Sequence, residues 1–167
     1  VYAGQSGVST PMFVTRCDAG MAWNGSACTG TRVSLPWNDG NTSGYVDTSL
    51  TNCGAAPCAG VPDGRTDTAV LITEDSNSGV AGIQPHQEAQ YCADLIINGY
   101  DDWYLPSLYE MNTIYSQRTA IGNFNSSLMY PSSTEYVSSS TWAVRGNDGY
   151  LLGVTKQSVA AIRCARR

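Results

Sequence analysis

Six cysteines constrain this chain more than any other feature of its sequence. They stand at positions Cys17, Cys28, Cys53, Cys58, Cys92 and Cys164. The first four form two closely spaced pairs, and each pair flanks a short segment, which favours the disulfides Cys17–Cys28 and Cys53–Cys58. By elimination Cys92 pairs with Cys164. A disulfide that closes so long a loop contributes about 4 kcal/mol in the chain-entropy model.

Three other uses of the cysteines stay open. They could be buried free thiols of a cytosolic protein, or zinc ligands, although Cys53-x₄-Cys58 with a distant second pair matches zinc spacing poorly. A nucleophilic cysteine could also act with His86, the single histidine of the chain. The even count and the paired spacing favour disulfides, and we therefore predict an extracellular or other oxidising location.

Length and charge exclude several classes of protein. The chain has 167 residues, which suits one domain. Its net charge of −5 argues against a nucleic-acid partner or an anionic membrane surface. No apolar run reaches the roughly 18 residues of a membrane span. Because the chain begins at Val1 without a signal-like segment, we expect a mature or excised fragment.

The hydrophobic pattern predicts two helices. Residues Pro85–Asn98 place Ala89, Cys92 and Ile96 on one apolar face, and Gly99 follows as a C-terminal cap. The second helix follows Pro106, where Ser107-x-x-Glu110 has the spacing of a capping box.

The remaining pattern predicts antiparallel strands in an α+β fold. A hairpin is expected where Gly146–Gly149 joins two apolar runs. The predicted strands are Pro11–Thr15, Thr31–Leu35, Thr66–Thr73, a strand from Tyr130, Trp142–Arg145, Tyr150–Thr155 and Val159–Ala165. We predict a single domain over residues 1–167, in which a loop-rich, disulfide-clasped part (1–65) precedes the core (66–167).

Three segments of the core carry a resemblance to a known family. They are NGYDDWYLPSLYEMNTIY at residues 98–115, Ser-Ser-Thr-Glu at 132–135 and Ile-Arg-Cys-Ala at 162–165. Together they resemble the signature of the DUF1566 family, also called the Lcl C-terminal domain family, over about residues 66–167. Met111 and Pro131 depart from its pattern, where leucine and an aromatic residue are usual.

The resemblance implies a fold, a location and a role. The family is similar to C-type lectins, in which a helix cysteine is bridged to the last strand, and this supports Cys92–Cys164. Its members tend to be secreted or attached to bacterial surfaces or pili. The implied role is adhesion through glycan binding.

The polar hairpin and its neighbours are the predicted ligand-binding surface. Tyrosine and tryptophan combine a flat apolar face with a polar edge, which suits stacking on sugar rings. The predicted ligand-binding residues are Glu135, Tyr136, Arg145, Asn147, Asp148, Tyr150 and Lys156. Calcium at Glu135 and Asp148 is a further hypothesis. Otherwise no metal or cofactor is expected.

No catalytic motif stands out, so we predict a protein that is not an enzyme. Asp101 and Asp102 are adjacent and point to opposite faces in extended backbone, which makes them a poor acid–base pair. His86 is expected on the surface. The predicted function is a non-catalytic recognition domain of a bacterial cell-surface or pilus-associated adhesin, with carbohydrate or a cell surface as its partner. The alternative is a pilin-like, filament-forming subunit that self-assembles.

Overall fold

A computed structural model describes residues 1–5, 10–38, 63–76, 86–137 and 139–167. Its helices are α1 (Gly64–Ser76), α2 (Gln87–Ala93), α3 (Leu108–Ser116) and α4 (Arg118–Ile121). Its strands are β1 (Tyr2–Gln5), β2 (Pro11–Val14), β3 (Ala22–Trp23), β4 (Cys28–Thr29), β5 (Ser34–Pro36), β6 (Met129–Val137), β7 (Ser140–Arg145), β8 (Leu151–Thr155), β9 (Val159–Ala161) and β10 (Ala165–Arg166).

The strands pair into small antiparallel sheets. In the described residues these are β1-β2-β10, β3-β4, β5-β9 and β6-β7-β8. The predicted hairpin is confirmed, since Val144 of β7 pairs with Leu151 of β8. The α+β prediction holds at the level of helices combined with antiparallel sheets, but the described residues contain four helices rather than the two predicted.

Two apolar clusters form the interior. One packs α3 against β1, β2 and β6, and its members include Met12, Met111, Ile114 and Tyr130. The other lies among α1, α2 and the residues in and around β5, and its members include Trp37, Leu71, Cys92 and Ile162. Residues 103–105, which precede α3, contribute to both clusters and connect them.

The predicted strand Thr66–Thr73 is wrong, because these residues lie within the helix α1. Local capping starts the helix. The Asp63 carboxylate accepts hydrogen bonds from the Arg65 amide at 3.1 Å and from the Thr66 hydroxyl at 3.0 Å. Tertiary contacts then outweigh the strand preference of the β-branched residues. Leu71 is fully buried, and the Thr68 hydroxyl accepts a hydrogen bond from the Leu105 amide at 3.0 Å.

The first predicted helix is shorter than the sequence suggested. It ends at Ala93, and Ile96 is 70% exposed instead of facing the core. The Asn-Gly pair that follows turns the chain as a hairpin, since Ile97 and Tyr100 exchange two backbone hydrogen bonds of 3.0 Å. Asn98 and Gly99 both have positive φ, at 54° and 80°, as a two-residue type I′ turn requires.

Two of the three predicted disulfides are present. Cys17–Cys28 clasps the β3–β4 hairpin, and Cys92–Cys164 joins α2 to the residue before β10. The predicted Cys53–Cys58 bridge lies outside the described residues. The predicted final strand is divided, because residues 162–164 separate β9 from β10.

Candidate functional site

The β7–β8 turn carries four of the predicted ligand-binding residues. Arg145 and Asp148 form a two-point ion pair, with Nε to Oδ1 at 2.9 Å and Nη2 to Oδ2 at 2.5 Å. The hydrogen bond from Arg145 lowers the pKa of Asp148 to about 2. Asn147 is exposed, and Tyr150, which is 62% exposed, lies 5.2 Å from the Arg145 guanidinium. The turn therefore offers an aromatic ring and an amide beside a charge pair that is already satisfied.

The other three predicted residues do not extend this surface. Glu135 and Lys156 are buried, and they form an ion pair with each other. Tyr136 is half-buried and packs on Trp142, with ring centroids 4.5 Å apart. The predicted site is therefore wrong in placing Glu135 and Lys156 on an accessible face, because their carboxylate and ammonium are enclosed in the fold.

The calcium hypothesis is not supported by these positions. Glu135 pairs with Thr141, whereas Asp148 follows Arg145 at the far end of β7. Four residues of strand separate Thr141 from Arg145, or about 13 Å. The described part of the chain contains no group of three or more histidine, cysteine or carboxylate residues that could hold a metal ion.

The interior polar groups do not form an open catalytic site. His86 is fully buried, which corrects its predicted surface position, and it packs edge-on against Trp37 at 4.7 Å. Its Nε2 lies 3.3 Å from the side-chain amide of Asn38. In the Ser-Ser-Thr-Glu run, the Ser133 hydroxyl donates to Asp67 at 2.9 Å and is fully buried. These polar groups are enclosed and contact other protein side chains.

A cleft of about 790 Å³ lies elsewhere, where three distant segments of the chain meet. Its lining comes from these three segments, within residues 13–23, 91–103 and 162–166, and from Val1. The volume is within the range of small-molecule sites, roughly 300–1,000 Å³. Both described disulfides contribute a cysteine to it, Cys17 and Cys164, and both of these residues are buried. The cross-links fix the segments that form this cleft.

Three exposed aromatic rings line the cleft, Phe13, Trp23 and Tyr100, and an arginine lies over the face of the last two. Trp23 is 39% exposed and Tyr100 is 51% exposed. The Arg16 guanidinium lies 4.5 Å from the Trp23 ring centre, and the Arg166 guanidinium lies 3.7 Å from the Tyr100 ring centre. Such cation–π contacts hold both the rings and the guanidinium groups in place.

Buried hydrogen bonds hold the wall that presents Arg16. Arg163 is fully buried and donates to the carbonyls of Thr15 at 2.9 Å and Arg16 at 2.6 Å. Its Nε donates to Asp18 Oδ1 at 2.6 Å, and Arg32 donates to Asp18 Oδ2 at 2.8 Å. Arg163 therefore stabilises this wall from inside the protein.

The hairpin and helix that face each other across the cleft are also fixed. The Asn24 side chain accepts from the amides of Ser26 and Ala27, at 3.0 and 2.9 Å, and so shapes the turn after Trp23. On α2, the Tyr91 hydroxyl accepts from the Gly20 amide at 2.9 Å. The cleft is therefore preformed, which lowers the ordering cost of binding.

Sequence reasoning did not identify this site. A signal was available, because each exposed ring stands beside an Asn-Gly pair: Trp23 precedes one and Tyr100 follows the other. Asn-Gly pairs mark tight surface turns, so an aromatic residue next to one is often displayed to solvent. The cleft itself could not be predicted, since it needs three segments brought together by tertiary folding.

Compared with protein-family models and with curated proteins, the chain has no significant match to either. Membership of the DUF1566 family therefore stays a prediction from residue resemblance. Among the helices of the described residues, none has the length and apolar character needed to cross a bilayer.

Proposed function

We propose that this chain is a non-catalytic recognition domain that binds glycan in the cleft between Trp23 and Tyr100. The observation that carries the proposal is that the exposed rings of Trp23 and Tyr100 both line a cleft to which both described disulfides contribute a cysteine. A pyranose ring has an apolar face of C–H groups and a rim of hydroxyls. Aromatic rings accept the face, and neighbouring polar groups bond the rim.

Polar groups for the sugar hydroxyls are available in the same lining. Asn98 lies on the exposed type I′ turn beside Tyr100, and its amide has both donor and acceptor atoms. The half-exposed Thr15 also lines the cleft. This combination of flat apolar rings with a few polar side chains is the usual composition of a small-ligand site.

The biological setting belongs to the same proposal. We infer a C-type-lectin-like domain of the DUF1566 type, carried by an adhesin of a bacterial cell surface or pilus. The Cys92–Cys164 bridge between α2 and the end of the chain supports the fold, since the resembling family carries that connection. Disulfides in a chain of this size also support an oxidising, extracellular location.

The β7–β8 turn is proposed as a secondary contact surface. Tyr150 and Asn147 are exposed there, but the turn is convex and Asp148 is already paired with Arg145. A glycan held in the cleft gains more buried area than one resting on this turn, because affinity depends on how much ligand surface is enclosed.

A glycan array followed by calorimetry tests the proposal with matched aromatic variants. W23A and Y100A are each expected to weaken binding at least 10-fold, because each removes a stacking surface. Y109A is the control, since Tyr109 is 52% exposed on α3 and does not line the cleft. Its affinity should equal that of the unaltered chain.

Two results would overturn the proposed function. One is the absence of glycan binding by a folded chain whose disulfides are intact. The other is binding that W23A and Y100A leave unchanged. If D148A or Y150A abolished binding instead, the turn and not the cleft would be the site.

Self-assembly remains the second candidate, and β1 is the observation that favours it. In the described residues β1 is an outer strand of its sheet, and its Tyr2 is 56% exposed and packs on Phe13. Exposed strand edges are templates for pairing with another chain. Light scattering after size exclusion distinguishes the two functions, because a filament subunit forms concentration-dependent oligomers without glycan.

A further inference from the structure

The charges that line the cleft differ in sign from the chain as a whole. The chain has a net charge of −5, yet the charged side chains of the cleft lining are Arg16, Arg166 and a single carboxylate, Asp18. A local excess of positive charge in a concave site raises the concentration of anions there. The cleft is therefore electrostatically suited to an acidic ligand.

Most of these charges already form ion pairs within the protein. Asp18 is buried between Arg163 and Arg32. Arg166 is held by Asp102, with Nε to Oδ1 at 2.6 Å and Nη2 to Oδ2 at 3.1 Å. The hydrogen bond from Arg166 also lowers the pKa of Asp102, so this pair stays ionised at neutral pH.

Arg16 differs from these arginines. No carboxylate among the described residues pairs with it, and its contact is the face of Trp23 at 4.5 Å. It is partly exposed and lines the cleft. Its backbone carbonyl is fixed by Arg163 at 2.6 Å, so the residue is held in place without consuming its five N–H donors.

We propose that the cleft selects a saccharide unit that bears a carboxylate, and that Arg16 pairs with this carboxylate. The inference rests on the proposed function and specifies its ligand. A planar guanidinium matches a carboxylate with two parallel N–H···O bonds. The sugar ring then lies against the exposed aromatic rings while its acid group reaches Arg16.

The same charges argue against a polysulfated chain as the preferred ligand. The second lining arginine, Arg166, is neutralised by Asp102, so the cleft has one unpaired guanidinium for one anionic group. A densely sulfated chain needs several clustered cations and would meet the negative remainder of the surface. One carboxylate per bound unit fits the cleft better.

The experiment compares each acidic oligosaccharide with its neutral methyl ester, using calorimetry on the disulfide-intact chain. The compounds tested are uronate- and sialate-containing oligosaccharides, and heparin represents the polysulfated class. We expect the acid to bind at least 10-fold more tightly than its ester, because bonds to a charged group are strong. The difference should shrink as salt is added.

Two arginine variants assign the effect to one side chain. R16Q should lower the ratio of acid affinity to ester affinity to about 1, because the carboxylate then has no guanidinium to pair with. R118Q is the matched control, since Arg118 also lies over an aromatic ring, Tyr115 at 4.3 Å, but outside the cleft. R118Q removes the same charge and should leave the acid-to-ester ratio unchanged.

The outcomes separate this inference from the proposed function. Equal binding of acid and ester, with W23A still abolishing both, overturns the inference and leaves glycan recognition in place. An R118Q effect equal to that of R16Q also overturns it, because the preference would then be a matter of net charge. Preferential binding of heparin overturns it as well. If no glycan binds at all, the proposed function itself fails.

Discussion

The first turns of α2 and α3 each contain a buried glutamate, and the two carboxylates differ in their hydrogen bonding. Glu110 on α3 is 1% exposed and accepts hydrogen bonds from Ser107, Gly64 and Tyr104. Glu88 on α2 is fully buried, and neither carboxylate oxygen has a hydrogen-bond partner among the described residues. Hydrogen bonds stabilise the buried Glu110 carboxylate, whereas the burial of Glu88 lowers the stability of the fold.

The difference shows what a capping box does beyond starting a helix. Ser107 and Glu110 bond each other's backbone amides, and the same carboxylate then binds the start of α1 through the Gly64 amide at 3.1 Å. His86 precedes α2 without any side-chain cap. Burial raises the pKa of both glutamates, more strongly for Glu88, where no hydrogen bond opposes it.

The largest expected effect comes from removing the satisfied glutamate. E110A leaves the Gly64 and Ser107 amides and the Tyr104 hydroxyl without their acceptor in a buried place. We expect a loss of about 3–5 kcal/mol in the free energy of unfolding, since each unsatisfied buried group costs about 1–3 kcal/mol. Urea denaturation at neutral pH measures it.

Two variants test the reason for that loss. S107A removes only the cap hydroxyl and should cost about 1 kcal/mol. E110Q keeps an acceptor oxygen and should fall between S107A and E110A. An E110A loss no larger than that of S107A would contradict the idea that Glu110 joins α1 to α3.

A methyl group at the contact between α1 and α3 is expected to have the next largest effect. A Cβ at position 64 would lie 2.5 Å from the Ser107 nitrogen and 2.6 Å from the Leu105 oxygen. Both are backbone atoms, so the two segments must separate, and we expect G64A to cost about 2–3 kcal/mol.

The sign of this effect is informative. In an unobstructed helix, glycine to alanine is stabilising by about 1 kcal/mol. A G64A chain as stable as the original, in the same urea titration, would show that α1 does not pack on the start of α3 as described.

The same contrast shows how far the sequence could predict this fold. Ser107-x-x-Glu110 and the Gly146–Gly149 turn were predictable, because their signals lie within a few neighbouring residues. The helix α1 was not predictable, since its β-branched residues favour a strand. Its stability comes from contacts with residues 105–110, which are distant in sequence.

Burial of polar residues was the least predictable property. Glu135, Lys156 and His86 have side chains that usually lie at the surface, and only the complete fold encloses them. For the same reason the candidate site moved from the hairpin turn to a cleft that joins distant segments. The sequence shows that Trp23 and Tyr100 stand beside turns, but it does not show that both rings line one cleft.

Replacing the unsatisfied glutamate should stabilise the protein. E88M removes a buried carboxyl and keeps a flexible side chain of similar length, so we expect a gain of about 1–3 kcal/mol at pH 7. E88Q removes the charge but keeps polar atoms, and should gain less. The measurement is again urea denaturation.

The control for this gain is D101N. Asp101 is exposed, so this variant replaces an acidic residue by its amide, as E88Q does, without altering the core. A gain in D101N equal to that of E88Q would assign the effect to net charge. A loss of stability in both E88M and E88Q would show that the Glu88 carboxyl has a stabilising role.

The smallest expected effect is a pH dependence that separates the two helices' glutamates. The pKa of Glu88 is raised well above its ordinary value of 4.5 by burial. The folded chain therefore holds a proton that the unfolded chain has released, and stability falls as pH rises from about 4.5 toward the folded pKa. Glu110 contributes in the same direction.

Two aspartates, Asp63 and Asp102, make the stability depend on pH in the acidic range. Burial raises the pKa of Asp63, but its bonds to Arg167 and Thr66 outweigh that, and the net direction is down. The hydrogen bond from Arg166 lowers the pKa of Asp102. Their contributions are complete above the ordinary aspartate value of 3.8 and are lost as pH falls through their folded pKa values.

The difference in stability between E88M and the unaltered chain isolates the Glu88 contribution. It should be small near pH 4 and grow as pH rises above 4.5, because only the unaltered chain must then bury or protonate a carboxylate. The E110Q difference should vary less with pH, since hydrogen bonds oppose the burial of Glu110. A pH-independent E88M difference would mean that Glu88 has the same pKa in both states, and that the contrast between α2 and α3 is one of packing alone.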